Sequence, residues 1–275
     1  MKILNGLELA SYIMERQLKQ VRALRLSWRV IPRLAIIRTG NSPVIDLYVR
    51  LKKAYGADID IEVDIYTPSD SELIKQIETL NKDETVHGII IQLPLENPDL
   101  TEQAINAVAP DKDVDGLGVG STFTPATAMS IDWLLAGYNI GLADKKIAIV
   151  GNGRLVGAPL SKLWKSSNLD VTVYDDQTQD LDEKIKLADV IVTATGVPGL
   201  IKNSMIRQNA IIVDAGTASE DGKIVGDVSI DVRDRKDLTI TPVKGGVGPL
   251  TVTALFDNAI LAARKVADKK GQQDI

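Results

Sequence analysis

Short runs of branched apolar residues, separated by segments of helical period, recur along the 275-residue chain and constrain its fold more than any other feature. RLAIIR at 33–38, IDIEVDIY at 59–66 and GIIIQL at 88–93 form a first series. KIAIV at 146–150, DVTVY at 170–174, DVIVT at 189–193 and AIIV at 210–213 form a second. A strand apolar on both sides must be covered on both faces, and alternation with helices supplies that cover while keeping the strands parallel. The helical segments are expected at 44–56, after a Gly40–Pro43 turn, then after Ser69 and Asp70, at 100–108, at 125–138 and at 249–267. In the last of these, Leu255, Ile260, Leu261 and Val266 need a partner surface, and the tail KKGQQDI is expected to fray. The polar, Gly-rich stretch DKDVDGLGVGSTF separates the two series, so two α/β units are expected to join near residue 120.

Composition narrows the chemistry. Apolar residues make up 44% and charged residues 25%, the balance of a globular chain with a core. No apolar run reaches the roughly 18 residues of a membrane span, and the N-terminus lacks the apolar block of a signal peptide. A cytoplasmic location follows as the expectation. A net charge of −5 and few aromatic residues argue against nucleic acid as a partner. The chain has no cysteine and one histidine, His87, so thiol nucleophiles, zinc–thiolate sites and His clusters are excluded. Glu72, Glu78 and the other scattered acids show no metal-ligand spacing, and no metal is expected. His87 is expected in a solvated turn, Trp28, Trp133 and Trp164 as packing anchors, and the acidic run at 180–189 as an exposed helix face.

KIAIV runs directly into GNGRLVGAPL. Gly151, Gly153 and Gly157 therefore follow a strand and open a helix, where free N–H groups meet dinucleotide phosphates. Asp175 stands 24 residues after Gly151, at the tip of the next strand, beside Asp176. An acidic residue about 20 positions on grips a ribose 2′-hydroxyl and repels a 2′-phosphate. The alternative is a glycine turn with two solvated aspartates.

Tyr48 and Lys52 are four apart in an expected helix and share a face. Short-chain dehydrogenases use the same spacing, but downstream of the glycine turn, whereas here it lies about 100 residues upstream. Gln92 closes an apolar strand in GIIIQLPL, and such strand ends point polar groups into the crevice of an α/β sheet. Asp113 and Asp115 follow in PDKDVDG, at the expected boundary. A lysine used as an acid–base group needs a lowered pKa, supplied by burial or a nearby cation, and the alternative is a surface lysine stacked on a tyrosine.

YVRLKK, IIIQLPL, PDKDVDG, GNGRLVGAP, ATGVPG, DGKIVGDV and TPVKGGVGPLT, in this order, resemble the bifunctional methylenetetrahydrofolate dehydrogenase/methenyltetrahydrofolate cyclohydrolase family over residues 3–265. The resemblance implies an N-terminal αβα folate domain, residues 1–120, completed by the last helix, 250–275. It implies a C-terminal Rossmann-type doubly wound parallel sheet over 121–249, a cleft between the two domains, and a homodimer. The implied activities are oxidation of methylenetetrahydrofolate to the methenyl form with NAD(P), and hydrolysis of that to 10-formyltetrahydrofolate. The alternatives are a monofunctional NAD-dependent dehydrogenase and a non-catalytic folate- or nucleotide-binding paralogue. By resemblance, Lys52 manages proton transfer in the hydrolysis, Gln92 tunes it, Tyr48 orients the folate and Asp115 binds the pterin edge. Leu93, Gly245, Gly246, Gly248, Pro249 and Thr251 complete the folate contacts. Gly151, Asn152, Gly153, Arg154, Val156, Gly157, Asp175, Asp176, Thr195, Gly196, Gly216 and Thr217 are the implied cofactor contacts.

The sequence departs from the family pattern mainly in the cofactor half. Asn152 and Gly153 replace an Arg and a Ser, and Tyr174-Asp175-Asp176 replaces C-H-S. Gly118-Val119-Gly120-Ser121 replaces H-P-x-N, Phe123 a Cys, Thr217-Ala218 an Ile-Asn, and Lys244 a Pro. NADP is the family default. Loss of the Arg and gain of two carboxylates at the 2′ position make NAD the expected cofactor here.

Overall fold

The computed structural model describes residues 1–40, 42–220 and 223–273. In chain order the elements are β1 (Lys2–Ile3), α1 (Gly6–Trp28), β2 (Arg33–Ile37), α2 (Pro43–Asp58), β3 (Glu62–Tyr66), α3 (Leu73–Lys82), β4 (Gly88–Ile91) and α4 (Thr101–Ala107). They continue as α5 (Ala126–Gly137), β5 (Ile147–Val150), α6 (Gly157–Ser166), β6 (Val171–Tyr174), α7 (Leu181–Ile185), β7 (Val190–Thr193) and β8 (Ile211–Asp214). A hairpin of β9 (Ala218–Glu220) and β10 (Lys223–Val225), then β11 (Thr239–Ile240) and α8 (Val247–Gln273), complete the chain. The residues group into two units, one of Met1–Ala10 with Thr127–Thr251, the other of Ser11–Ala126 with Val252–Ile275.

The unit built on Ser11–Ala126 holds a parallel sheet in the order β3-β2-β4. β2 and β4 are buried on both faces, as apolar runs without alternation require, whereas the edge strand β3 is only half-buried. Ala35, Ile37, Ile89 and Ile91 pack on Leu73, Ile77 and Leu80 of α3 and on Ala104 and Ile105 of α4. Helix α2 begins at a Ser42 cap that accepts the Ile45 N–H, with Pro43 in its first turn. It packs so tightly on β3 that a Cβ on Gly56 would stand 2.4 Å from Val63. The strand expected from residue 59 starts at Glu62, because Ile59–Ile61 close α2: Ile61 N–H bonds Gly56 O, and Asp60 takes a φ of 60°.

The other unit carries a six-stranded parallel sheet in the order β1-β11-β8-β7-β5-β6. Leaving out the short N-terminal strand, this runs second-first-third-fourth-fifth from its β6 edge, so the order reverses between β5 and β7. The first ten residues belong here and not with residues 11–120, because Lys2–Ile3 pairs with Thr239–Ile240. So short a strand, with no pattern of its own, gave no sign of its partner. Gly6 and Gly246 make a contact only glycine permits: a Cβ on Gly6 would lie 1.8 Å from Gly246 O.

Four further expectations need correction. His87 is buried, accepting the Arg33 N–H on Nδ1, and is not a solvated turn residue. Trp28 and Leu261 are exposed, whereas Trp164 is buried with its indole N–H on Asp132. The segment expected to fray is helical through Gln273, while Asp274 and Ile275 lie outside the described residues. Among the described residues, no helix is long and apolar enough to cross a membrane.

Candidate functional site

In the β3-β2-β4 sheet the strand order reverses between β2 and β4, and open α/β sheets bind ligands beyond the carboxyl ends of strands at such a point. Gln92 stands there, its N–H bonded to Ile37 O at 2.8 Å. Its side chain is buried; Nε2 donates to Leu93 O at 3.0 Å, which leaves Oε1 to accept from Lys52 Nζ at 2.8 Å. Lys52 comes from α2, the helix that follows β2, and Tyr48 lies one turn before it, half-buried.

Four residues of PDKDVDG have separate tasks. Lys112 Nζ caps the C-terminus of α3, donating to Leu80 O and Asp83 O at 3.0 and 2.7 Å. Asp113 accepts the Gly116 and Gly118 N–H groups and so shapes the turn. Val114 packs over Gly88, and Asn258 of α8 donates to Val114 O at 2.9 Å. Asp115 is near enough to Lys52 for the two charges to act on each other. Burial lowers the Lys52 pKa, and the Asp115 charge opposes that shift. Burial raises Asp115, Lys52 opposes, and Asp113 adds to the rise. Both groups are thus displaced toward their neutral forms, and a neutral amine held by a glutamine is a base.

In the other unit the carboxyl ends of β5 and β7 flank the second reversal. Gly151 follows β5 with a φ of 102°, its N–H on Tyr174 O. A Cβ on it would meet Ala194 O at 2.6 Å, and one on Gly157 would meet Gly151 O at 1.8 Å. The turn is therefore pressed between β7 and the start of α6. A Cβ on Gly153 would meet nothing within 4 Å, so the open side of the turn is where a ligand can approach. Asn152 and Arg154 are exposed, and Val156 precedes the helix. At the tip of β6, Asp175 is exposed, its Oδ1 accepting from Gln177 N–H and Thr178 Oγ1, with Asp176 exposed beside it. Thr195 and Gly196 follow β7, and Gly216 and Thr217 follow β8.

Both halves of the chain match one family. Residues 4–115 match the catalytic domain of tetrahydrofolate dehydrogenase/cyclohydrolase, and residues 125–267 match its NAD(P)-binding domain. The chain belongs to the tetrahydrofolate dehydrogenase/cyclohydrolase family. Bifunctional protein FolD of Acetivibrio thermocellus is 38% identical, over 98% of this chain and 99% of that protein. The bifunctional FolD methylenetetrahydrofolate dehydrogenase/cyclohydrolase of Campylobacter jejuni superposes with a TM-score of 0.92 at 33% identity, covering 96% of this chain and 99% of that one. The Trypanosoma brucei FolD, solved with NADP cofactor and an inhibitor, gives 0.90 at 29% identity, over 96% of this chain and 97% of that one.

Within this family frame, the structure brings Lys52, Gln92, Leu93 and Asp115 together, with Tyr48 a helical turn away. Gly245, Gly246, Gly248, Pro249 and Thr251 fall in the other unit, where Thr251 Oγ1 lies 3.2 Å from Ser130 Oγ. Sequence reasoning missed Asn258, which ties down the loop bearing Asp115, since a lone polar residue in a long helix gives no sign of its partner. It also missed Asp214, Asp227 and Arg233, which form a buried cluster beneath the nucleotide-side strand ends. Their signal was a glycine within two residues of an aspartate in both DAG and VGD.

Proposed function

We propose that this chain oxidises 5,10-methylenetetrahydrofolate to the methenyl form with NAD(P), and hydrolyses the methenyl form to 10-formyltetrahydrofolate. The observation that carries the reading is the Lys52–Gln92 bond at the strand-order reversal, with Asp115 in reach of the lysine by its field. In the hydrolysis, water attacks the methenyl carbon and gives up a proton. Lys52, its pKa lowered by burial and further by the cationic substrate, takes that proton. The bond from the carbon to N5 then breaks as the new hydroxyl gives up its proton to become the formyl C=O, Lys52 returns its proton to N5, and the formyl group stays on N10. Gln92 aligns the lysine, Tyr48 packs on the folate, and Asp115 accepts hydrogen bonds from the pterin edge. Leu93 completes the folate contacts of this unit, and the family resemblance assigns the segment Gly245–Thr251 of the other unit to folate as well.

A dinucleotide fits the glycine turn: Gly151 and Gly157 permit the close crossing, and Gly153 leaves the phosphate side open. A bound nicotinamide supplies the hydride acceptor. Asn152, Arg154, Val156, Thr195, Gly196, Gly216 and Thr217 frame it. Asp175 offers its second oxygen to a ribose diol, and with Asp176 it opposes a 2′-phosphate, so NAD is favoured over NADP. The working form is a cytoplasmic homodimer.

The deciding experiment follows absorbance of methenyltetrahydrofolate formed from methylenetetrahydrofolate, with NAD and NADP in parallel, and separately the hydrolysis of added methenyl substrate. Turnover with NAD and loss of the added methenyl band support the whole reading. Turnover with NADP alone refutes the charge argument. No turnover with either cofactor, and no hydrolysis, refutes the enzyme assignment.

A further inference from the structure

The strand ends that carry Thr195 and Gly216 are tied to a buried cluster that no step above uses. Asp227, fully buried, accepts at Oδ2 from Thr193 Oγ1 and from Thr195 N–H, each at 2.7 Å, while its Oδ1 is buried with no partner. Asp214, at the end of β8, accepts from Gly216 N–H at 3.2 Å, Asp227 N–H at 3.0 Å, Val228 N–H at 3.2 Å and Arg233 Nη2 at 3.1 Å. Arg233 also donates to Thr241 O at 2.8 Å, which carries the cluster to the end of β11.

The two aspartates interlock through two glycines. A Cβ on Gly216 would stand 2.0 Å from Asp227 Oδ1, and one on Gly226 would stand 2.1 Å from Asp214 Oδ2. Each carboxylate therefore occupies the space that a side chain beside the other would need. Such a cluster is costly: of its two carboxylates only Asp214 meets the guanidinium of Arg233, and Asp227 keeps a buried acceptor oxygen without a partner. What the cost secures is the path of the β7 and β8 ends, since Thr195 and Gly216 are both held by side chains from this cluster.

We propose that Asp227 is a positioning residue for the dinucleotide: its two bonds to Thr193 and Thr195 fix the turn that presents Thr195 and Gly196 to the bound cofactor. This rests on the reading of that unit as the NAD(P) site. The sign of the effect separates positioning from a through-space influence. A buried anion near an anionic ligand opposes binding, so removing it tightens binding if its charge acts directly. Removing it weakens binding if it acts by holding the turn.

The test uses the full chain as wild type, Asp227→Ala, Asp227→Asn and Thr193→Val. Dinucleotide affinity is measured by calorimetry, KM and kcat by dehydrogenase assay, and folding by the thermal midpoint together with hydrolysis of added methenyltetrahydrofolate. Asp227→Ala is expected to raise the dinucleotide Kd and KM by about tenfold or more, the loss of one charge-assisted hydrogen bond or two. Saturating kcat falls less, and hydrolysis stays intact. Asp227→Asn recovers part of the affinity, because its amide oxygen still accepts from Thr195 N–H. Unchanged or tighter binding by Asp227→Ala with intact hydrolysis overturns the proposal. If Asp227→Ala fails to fold, Thr193→Val, which removes one donor and keeps the side-chain shape, decides by the same criterion. A wild-type chain that binds no dinucleotide removes the reading on which the proposal rests, and the proposal with it.

Discussion

Lys52 Nζ donates to Gln92 Oε1 at 2.8 Å, while Asp115 bears on the same lysine only through its charge. The two neighbours act differently: the amide fixes where the amine is, and the carboxylate moderates how far burial lowers its pKa. Lys52→Met keeps the length of the side chain and removes the base. The expected outcome is loss of methenyl hydrolysis with partial survival of hydride transfer, read by the two assays on one preparation. The variant is also expected to be more stable by about 1 kcal/mol, a thermal midpoint about 2–4 °C higher, as relief of a buried functional charge usually gives. The sign follows from linkage. A lysine whose folded pKa is lowered takes up its proton less readily in the fold, so stability is lost as pH falls through the folded pKa. Unchanged hydrolysis would sink the assignment of Lys52.

Asp115→Asn separates field from contact. The carboxylate raises the Lys52 pKa against burial, so without it burial acts unopposed and the lysine titrates at lower pH. The lysine-dependent limb of the hydrolysis profile should therefore move to lower pH, with KM for the folate up by about tenfold from the lost acceptor. The carboxylate's own folded pKa is raised, so its contribution to stability is present below its ordinary value of 3.8 and lost as pH rises through the folded value. The neutral Asn should accordingly stabilise the chain near pH 7. A limb that stays in place, or moves upward, counts against any electrostatic coupling between the two.

Much of the fold was readable because the central strands are buried on both sides and carry an unbroken apolar signature, as in GIIIQL and KIAIV. Tyr48, Lys52 and Gln92 were readable too, since helix periodicity and a strand end give their relative placement without tertiary knowledge. The pairing of Lys2–Ile3 with β11 was not, because two residues carry no pattern and their partner lies more than 230 positions away. Nor was the interlock of Asp214 with Gly226 and Asp227 with Gly216, which depends on how two strand ends approach in space. His87 misled in the opposite direction: beside a glycine it read as a turn residue, yet its ring accepts the first N–H of β2.

Cofactor choice is concentrated at the tip of β6. Asp175 Oδ1 is engaged by Gln177 N–H and Thr178 Oγ1, at 3.1 and 3.2 Å, which orients the carboxylate and leaves the other oxygen available. Asp175→Ser removes the charge and keeps a small polar group. Because a 2′-phosphate then loses one repulsive partner at an exposed, screened position, the expected gain in kcat/KM for NADP is about tenfold, with NAD weakened by a similar factor. Steady-state kinetics with both cofactors check this. An unaltered NAD/NADP ratio would place the discrimination elsewhere.

Gly153 and Gly157 lie four residues apart in one turn and should respond oppositely to the same added methyl group. At Gly157 a Cβ would meet the carbonyl oxygen of Gly151 at 1.8 Å, so the turn and the start of α6 have to separate. Gly157→Ala is expected to destabilise the chain by about 2–4 kcal/mol, the scale of other strained backbone and core lesions, visible as a lower thermal midpoint. At Gly153 a Cβ meets nothing within 4 Å, and φ lies outside the left-handed region. Gly153→Ala should leave the midpoint unchanged, while the methyl group occupies the side from which a pyrophosphate approaches. The expected result is a dinucleotide KM raised by about tenfold or more at normal stability, with methenyl hydrolysis unaffected. If Gly153→Ala binds the dinucleotide as well as the wild type, phosphates do not pass over that face of the turn, and the glycine serves only the local backbone.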